Sequence, residues 1–141
     1  AGVGSGTGWV MTTGTLPEAP DGWPGSKPEW AFYFALGELG YEEHEDFSYE
    51  TPLMGGRLDK GGMIIDFLFF NPPDLAVNVQ GVYYHYELGS ETRARDVLAR
   101  QTLAGQGITL IFVDEDDLEQ DLIGTTRNAL AFRDTSRLGG R

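Results

Sequence analysis

The alternation of apolar and polar positions predicts a helix, three strands, a second helix, a fourth strand and a closing helix. Apolar side chains recur at helical spacing after Ser26 and again within 90–107. Glycine and proline residues separate strand-length runs of β-branched and aromatic residues. They mark the ends of strands, since proline cannot join a strand ladder. The predicted strands are 47–53, 63–70, 75–80 and 108–113.

This order predicts an α/β fold in which helices flank a small mixed sheet. A strand that follows a long helix implies a crossover connection, which would bring 108–113 beside the central strands. A length of 141 residues fits one domain. We expect a flexible Gly/Pro-rich arm over 1–26, a folded domain over 27–133 and a loose polar tail over 134–141.

The first helix begins with a capping-box pattern. Ser26 is a suitable N-cap, Pro28 lies in the first turn, and Glu29 follows Ser26 by three residues. Glu29 therefore has a purely structural interpretation as the second half of the capping box. The acids from Asp114 to Asp117 also suit a helix start, and they lack the spacing of a calcium-binding EF-hand loop.

One acid, Asp66, interrupts the most apolar strand of the chain. Because strand side chains alternate between faces, Asp66 would share a face with Ile64 and Leu68, and Asn78 would share a face with Gln80. A suitable register would bring Asp66, Asn78 and Gln80 together. A buried carboxylate is costly without a partner, so Asp66 is either a paired core residue or a metal ligand.

The order and spacing of these features resemble those of the PD-(D/E)XK nuclease superfamily. The similarity is strongest to the branch with the very-short-patch-repair endonucleases and their small phage-type relatives. It spans about residues 27 to 133 and rests on Glu29, Asp66, the Gln80-Gly81 pair, His85 and the Arg95-Asp96 pair. The resemblance implies a restriction-endonuclease-like αβββαβα core and Mg²⁺-dependent or Mn²⁺-dependent hydrolysis of DNA phosphodiesters.

The resemblance also implies a set of site residues. Asp66, the Val79 carbonyl and Asn78 would hold the cation, and Asp66, His85, Gln80 and Glu29 would be catalytic. The chain departs from the superfamily pattern at Asn78, where active members generally carry an acid, and at Val82, where some relatives carry Glu. These departures argue against two-metal chemistry. His85 is a general-base candidate, although a histidine among tyrosines is also a common hydrogen-bonded structural residue.

Basic residues supply the candidate DNA contacts. Arg57 and Lys60 lie in a glycine-rich hairpin tip, while Arg93 and Arg95 lie on the second helix. Each pair also has an ordinary interpretation, as part of a turn or of a solvated helix face. Ten basic and 22 acidic residues give a formal net charge of −12, which opposes encounter with a DNA backbone.

Two classes of function therefore remain open on the sequence. The first is a metal-dependent DNA endonuclease. The second is a nuclease fold of weak or no activity that serves in assembly, for example of a phage particle, with the arm docking on further copies of the chain. The chain has no cysteine, no signal-peptide pattern and no apolar run of the ~20 residues that span a bilayer. We expect no membrane partner, and a location in the bacterial cytoplasm or in a virion.

Overall fold

The computed structural model describes residues 16–53, 63–81 and 90–138. The α/β class and the order of the elements through the fourth strand are as predicted from the sequence, and two helices follow that strand where one was predicted. The helices and strands are α1 (Lys27–Glu38), β1 (Phe47–Leu53), β2 (Met63–Phe69), β3 (Leu75–Gln80), α2 (Ser90–Ala104), β4 (Thr109–Asp114), α3 (Glu115–Gln120) and α4 (Leu122–Leu130).

The four strands form one mixed sheet in the order β1-β2-β3-β4. The β1–β2 and β2–β3 pairs are antiparallel, and β3 pairs with β4 in parallel. A parallel neighbour requires a crossover, and α2 lies within that connection. The crossover expected from the strand after the long helix is therefore confirmed.

Helices cover both faces of the sheet. On one face α1, α3 and α4 pack against the sheet, with the buried Phe32 of α1 against Phe67 of β2. On the other face Leu103 of α2 packs with Ile65 and Phe112. The aromatic and β-branched residues that marked the strands in the sequence therefore build two cores, one on each side of the sheet.

The sheet divides at the centre of β2. Ladder pairing between β2 and β3 covers Phe67 to Phe69 and ends at the Phe67–Val77 pair. Beyond that pair β2 stays with β1, whereas β3 stays with β4. Asp66 and Asn78 are the first residues past the last pair. We call this divergence of β2 and β3 the fork.

Strict alternation of faces fails at the same point, which corrects the prediction for β2. Ile65 and Phe67 are two residues apart and would share a face in a regular strand. Instead Ile65 belongs to the α2 core, and Phe67 belongs to the α1 core. The change of face at Asp66 accompanies the loss of ladder pairing with β3, and Ile64 is left exposed.

Ser26 is the N-cap of α1, as predicted from the sequence, and its hydroxyl makes two hydrogen bonds with Glu29. The Glu29 backbone N–H donates to the Ser26 hydroxyl at 3.3 Å, and that hydroxyl donates to the Glu29 carboxylate at 3.2 Å. The preceding turn is anchored on the domain, because the Trp23 ring packs against Tyr49 and its Nε1–H donates to the Ser26 carbonyl. The described end of the arm is therefore attached to the folded domain.

The break between the last two helices lies at Asp121. The sequence predicted one closing helix, and the two helices α3 and α4 correct that prediction. Asp121 has a non-helical backbone, and its side chain accepts a 2.9 Å hydrogen bond from the Gly124 backbone N–H. Gly124 therefore lies in the first turn of α4, which Asp121 caps.

The described part of the C-terminal tail is bound to the edge strand β4, which corrects the expectation of a loose segment. The Phe112 backbone N–H donates to the Asp134 carboxylate at 2.9 Å. The backbone N–H and guanidinium of Arg137 both donate to Asp114, and Ser136 is fully buried. The tail is polar, as predicted, because its polar groups satisfy an otherwise open strand edge.

Candidate functional site

The candidate site is centred on the Asp66 carboxylate in the fork. Its Oδ2 accepts a hydrogen bond of 2.9 Å from the Val79 backbone N–H. In return the Asp66 backbone N–H donates to Oδ1 of Asn78, also at 2.9 Å. These two bonds replace the ladder where the strands diverge, and they bring together the three residues predicted to hold a cation.

The surroundings of Asp66 favour its neutral form. Its pKa is raised from 3.8 to about 8. Burial is the main cause of this rise, and the Glu29 carboxylate is the second. Glu50 and Asp96 act in the same direction, whereas the hydrogen bond from Val79 lowers it. Asp66 is thus a largely buried carboxylate close to negatively charged side chains of β1, α1 and α2.

Glu29 combines the structural role with a place beside the site. One carboxylate oxygen accepts a hydrogen bond from the hydroxyl of the N-cap Ser26, and the other accepts one from the Tyr49 hydroxyl. The backbone at Gly25 approaches this pair so closely that a Cβ there would lie 2.6 Å from the Glu29 carboxylate. Both interpretations of Glu29 are compatible with its position, since it is held at the helix start and acts electrostatically on Asp66.

Glu50 is a neighbour of the site that the sequence reasoning missed. The flanking pairs Tyr49–Phe67 and Thr51–Ile65 put Glu50 opposite Asp66 in the β1–β2 register. Its backbone has a φ of 56°, a left-handed conformation that is uncommon for a residue other than glycine. No sequence signal predicted it, because an exposed Glu in an edge strand is ordinary.

Gln80 lies at the end of β3 and reaches toward α2. Its side chain is 1% exposed, and its Nε2 donates to the Asp96 carboxylate at 2.8 Å. Asp96 is the acid of the Arg95-Asp96 pair that contributed to the resemblance. Gln80 and Asp96, two of the residues on which the resemblance rests, are therefore joined by one hydrogen bond.

Of the basic side chains predicted to contact DNA, the structure describes that of Arg95. Arg57, Lys60 and His85 lie outside the described residues, as does the Arg93 side chain. Arg95 is exposed on α2. Arg100 completes the arginine-rich stretch in the sequence, but its guanidinium packs over the Phe112 ring and donates to the Leu138 carbonyl. Arg100 therefore packs against the core and binds the C-terminal tail.

A second acidic group lies at the end of β4. Carboxylate oxygens of Asp114, Asp116 and Asp117 all lie within 4.8 Å of one another, so this group could hold a metal ion. Arg137 already bonds to Asp114 at 3.1 Å and to Asp116 at 2.5 Å. The first turn of α3 begins here, as the sequence predicted. The Arg137 guanidinium therefore balances part of the negative charge of this acidic group.

The donors in the fork have the chemistry that a hard divalent cation prefers. Carboxylate, amide and backbone carbonyl oxygens are the usual ligands of Mg²⁺ and Mn²⁺. Asp66 has a carboxylate, the adjoining Asn78 has an amide oxygen, and neighbouring carboxylates add negative charge. A cation there would reverse the electrostatic cost of ionising Asp66. The residues present therefore fit a single divalent cation, with Asp66 as the charged ligand.

Comparisons with protein-family models, with curated proteins and with solved structures gave no match. In the part of the chain that the structure describes, every helix is too short or too polar to cross a membrane.

Proposed function

We propose that this protein is a metal-dependent DNA endonuclease that hydrolyses phosphodiester bonds at the fork. The proposal follows the resemblance to the PD-(D/E)XK superfamily, with Mg²⁺ or Mn²⁺ as the cation. It assigns the protein to the bacterial cytoplasm or to a virion.

The observation that carries the proposal is the environment of Asp66. A lone acid within an apolar strand is held by Val79 in a gap between two strands, with three more carboxylates close enough to raise its pKa. Ionisation of Asp66 in these surroundings destabilises the folded chain unless a cation balances the charge. Strongly perturbed carboxylates of this kind occur preferentially at functional sites.

In the proposed reaction, each residue of the fork has a limited task. Asp66 would hold the cation, the Val79 N–H orients the Asp66 carboxylate, and the Asn78 amide would supply a neutral oxygen. When bound, a divalent cation supplies Lewis acidity toward a phosphate oxygen and the attacking water. Gln80 orients that water or the phosphate. His85 takes up or returns the proton in the role that the resemblance assigns to it.

A second candidate function is a nuclease fold of low activity that serves in assembly, for example of a phage particle. The specific observation in its favour is the use of basic residues inside the domain. Arg100 and Arg137 make contacts within the domain, with the tail and with β4, and the whole chain carries a net charge of −12. In this alternative the N-terminal arm would join copies of the chain, or the chain to a particle.

Incubation with supercoiled plasmid separates the two candidates. We expect conversion to the nicked form in Mg²⁺ or Mn²⁺ and no conversion in excess EDTA. Single-stranded, mismatched and linear duplex DNA in parallel reactions would identify the preferred substrate. Asp66→Ala serves as the inactive control for a contaminating nuclease. Absence of cleavage in both metals on every substrate, or equal cleavage by the control, would favour the assembly function.

A further inference from the structure

Two exposed basic side chains flank the carboxyl end of β3. Lys27 is the first residue of α1, which packs against β3 and α3 on one face of the sheet. Arg95 lies on α2 on the other face, next to Asp96, which accepts the hydrogen bond from Gln80 at the end of β3. The end of β3 therefore lies between a helix that carries a lysine and a helix that carries an arginine.

The Glu115 carboxylate locates Lys27 relative to the end of β3. Glu115 begins α3, and a Cβ built on Gly81 would lie 3.5 Å from its Oε1. Burial is the main cause that raises the pKa of Glu115, whereas the positive charge of Lys27 acts to lower it. Lys27 and the backbone of Gly81, which directly follows β3, are therefore close to the same carboxylate.

The first turn of α1 also lies close to the fork. Glu29, two residues after Lys27, is near enough to raise the pKa of Asp66. Ligands of open α/β sheets bind in the crevice outside the carboxyl ends of the strands, and β3 and β4 are a parallel pair whose carboxyl ends meet at this edge. A DNA strand that reaches the fork from this edge would therefore pass the start of α1.

Lys27 occupies a position in its helix that is unfavourable for a cation. The N-terminal end of a helix carries a partial positive charge, so acids are favoured in the first turn and cations in the last. Glu29 in the first turn of α1 follows this preference, and Lys27 opposes it. An anion bound beside Lys27 would compensate both the lysine charge and the helix dipole.

We propose that Lys27 binds a backbone phosphate of DNA that crosses the carboxyl end of β3, with Arg95 as its counterpart on α2. This inference rests on the proposed function, because it names a contact of the substrate near the fork. A lysine ammonium has three donors and acts as a point charge, so it binds a phosphate whatever the base sequence. The carboxylates near this edge repel a phosphate, so the loss of one cation should have a measurable effect on binding.

Lys27→Gln tests the contact by removing the charge of an exposed side chain. Binding to a fluorescein-labelled duplex is measured by anisotropy in EDTA over a series of salt concentrations. We expect Lys27→Gln to weaken binding by roughly 3-fold to 10-fold at about 0.1 M salt and to reduce the slope of log K against log salt by about 0.9. Lys27→Arg should restore both values. An unchanged slope in Lys27→Gln would overturn the proposal.

Arg127→Gln is the matched control, because it removes the same charge from an exposed side chain in the last turn of α4. Its affinity and salt slope should stay near those of the wild-type protein. An equal loss in Lys27→Gln and Arg127→Gln would overturn the proposal, since it would assign the effect to the net charge of the chain.

Cleavage measured beside binding keeps this proposal distinguishable from the nuclease function. With Mg²⁺, Lys27→Gln should lower kcat/KM by the factor measured for binding, mainly through KM, because a phosphate contact present throughout the reaction contributes uniform binding. Binding that depends on Lys27 without any nicking would overturn the nuclease function and support the contact. Nicking with unchanged binding in Lys27→Gln would overturn the contact alone. Absence of DNA binding by the wild-type protein would overturn both proposals.

Discussion

The Val79 backbone N–H donates a 2.9 Å hydrogen bond to Oδ2 of Asp66 at the point where β2 and β3 stop pairing. The bond spans the fork and fixes one oxygen of the only acid in β2. It also partly compensates the burial of that acid, since it lowers a pKa that burial and the surrounding carboxylates raise. The consequences of this contact can be measured in the absence of any substrate.

The stability of the cation-free protein should fall as pH rises because of Asp66. The ordinary pKa of an Asp side chain is 3.8, and the pKa of Asp66 in the folded protein is about 8. Between these values the folded chain holds a proton that the unfolded chain has lost. This contribution is therefore complete below pH 4 and is lost as pH approaches 8, by at most about 1.4 kcal/mol per pH unit.

Urea unfolding in EDTA at pH 5.5, 7 and 8.5 would measure this dependence. Asp66→Asn keeps an acceptor for the Val79 N–H but cannot ionise, so it should flatten the pH dependence and be more stable than wild type at pH 8.5. The exposed Asp74→Asn change should leave the wild-type slope in place. An identical slope in wild type and Asp66→Asn would refute the electrostatic description of the fork.

Gly25→Ala should destabilise the protein by about 1–3 kcal/mol through overpacking against the Tyr49 hydroxyl and the Glu29 carboxylate. Because the hydroxyl is the closest atom, the same change in a Tyr49→Phe background should cost less. Gly37→Ala is the matched control: a Cβ there meets nothing within 4 Å, and the helix should gain about 0.5–1 kcal/mol. Thermal unfolding of the four variants and wild type decides the question, and equal costs in both backgrounds would contradict the packing argument.

Two substitutions at Glu50 would separate backbone strain from charge. Glu50→Gln removes the carboxylate but keeps the left-handed φ of 56°, whereas Glu50→Gly removes both the charge and the steric cost. We expect Glu50→Gly to be more stable than Glu50→Gln by about 1 kcal/mol. Both should weaken Mn²⁺ binding measured by calorimetry, because each removes negative charge opposite Asp66. Equal stabilities would mean that the strand tolerates this backbone without strain.

Arg137→Ala should destabilise the domain by about 1.5–3 kcal/mol, the usual value of a hydrogen bond to a charged group. The change removes the guanidinium from Asp114, whose side chain is 0% exposed. Arg127→Ala, an exposed change on α4, should alter stability by less than about 0.5 kcal/mol. Chemical denaturation of the two variants measures the difference. A neutral Arg137→Ala would mean that the tail does not stabilise the edge of the sheet.

Local patterns in the sequence were sufficient for the elements of the fold. The bounds of β1 and β3 match their apolar runs, and the Ser26 cap appears where the capping box predicts it. The start of α3 at the acids after β4 was also predicted. These features depend on neighbours a few residues apart, which is the range over which sequence patterns carry physical information.

The predictions that failed concern features that depend on contacts between distant segments. Strand periodicity cannot reveal that β2 changes face at Asp66, because this change occurs where pairing with β3 ends. The left-handed Glu50 and the binding of Asp134 to Phe112 likewise require the assembled sheet. In the candidate site, the pairing of Asp66 with Asn78 could be predicted from alternation and a suitable register. The partnership of Gln80 with Asp96 could not.

The rate of plasmid nicking by Asp66→Asn, beside that of Asp116→Asn, tests the central claim most directly. The first substitution removes the carboxylate of the fork, and the second removes one carboxylate of the Asp114, Asp116 and Asp117 group that could hold a metal ion. If the fork is the site of cleavage, Asp66→Asn abolishes Mg²⁺-dependent nicking and Asp116→Asn cuts at close to the wild-type rate. Wild-type nicking by Asp66→Asn, or its loss in Asp116→Asn alone, would contradict the assignment of the site to the fork.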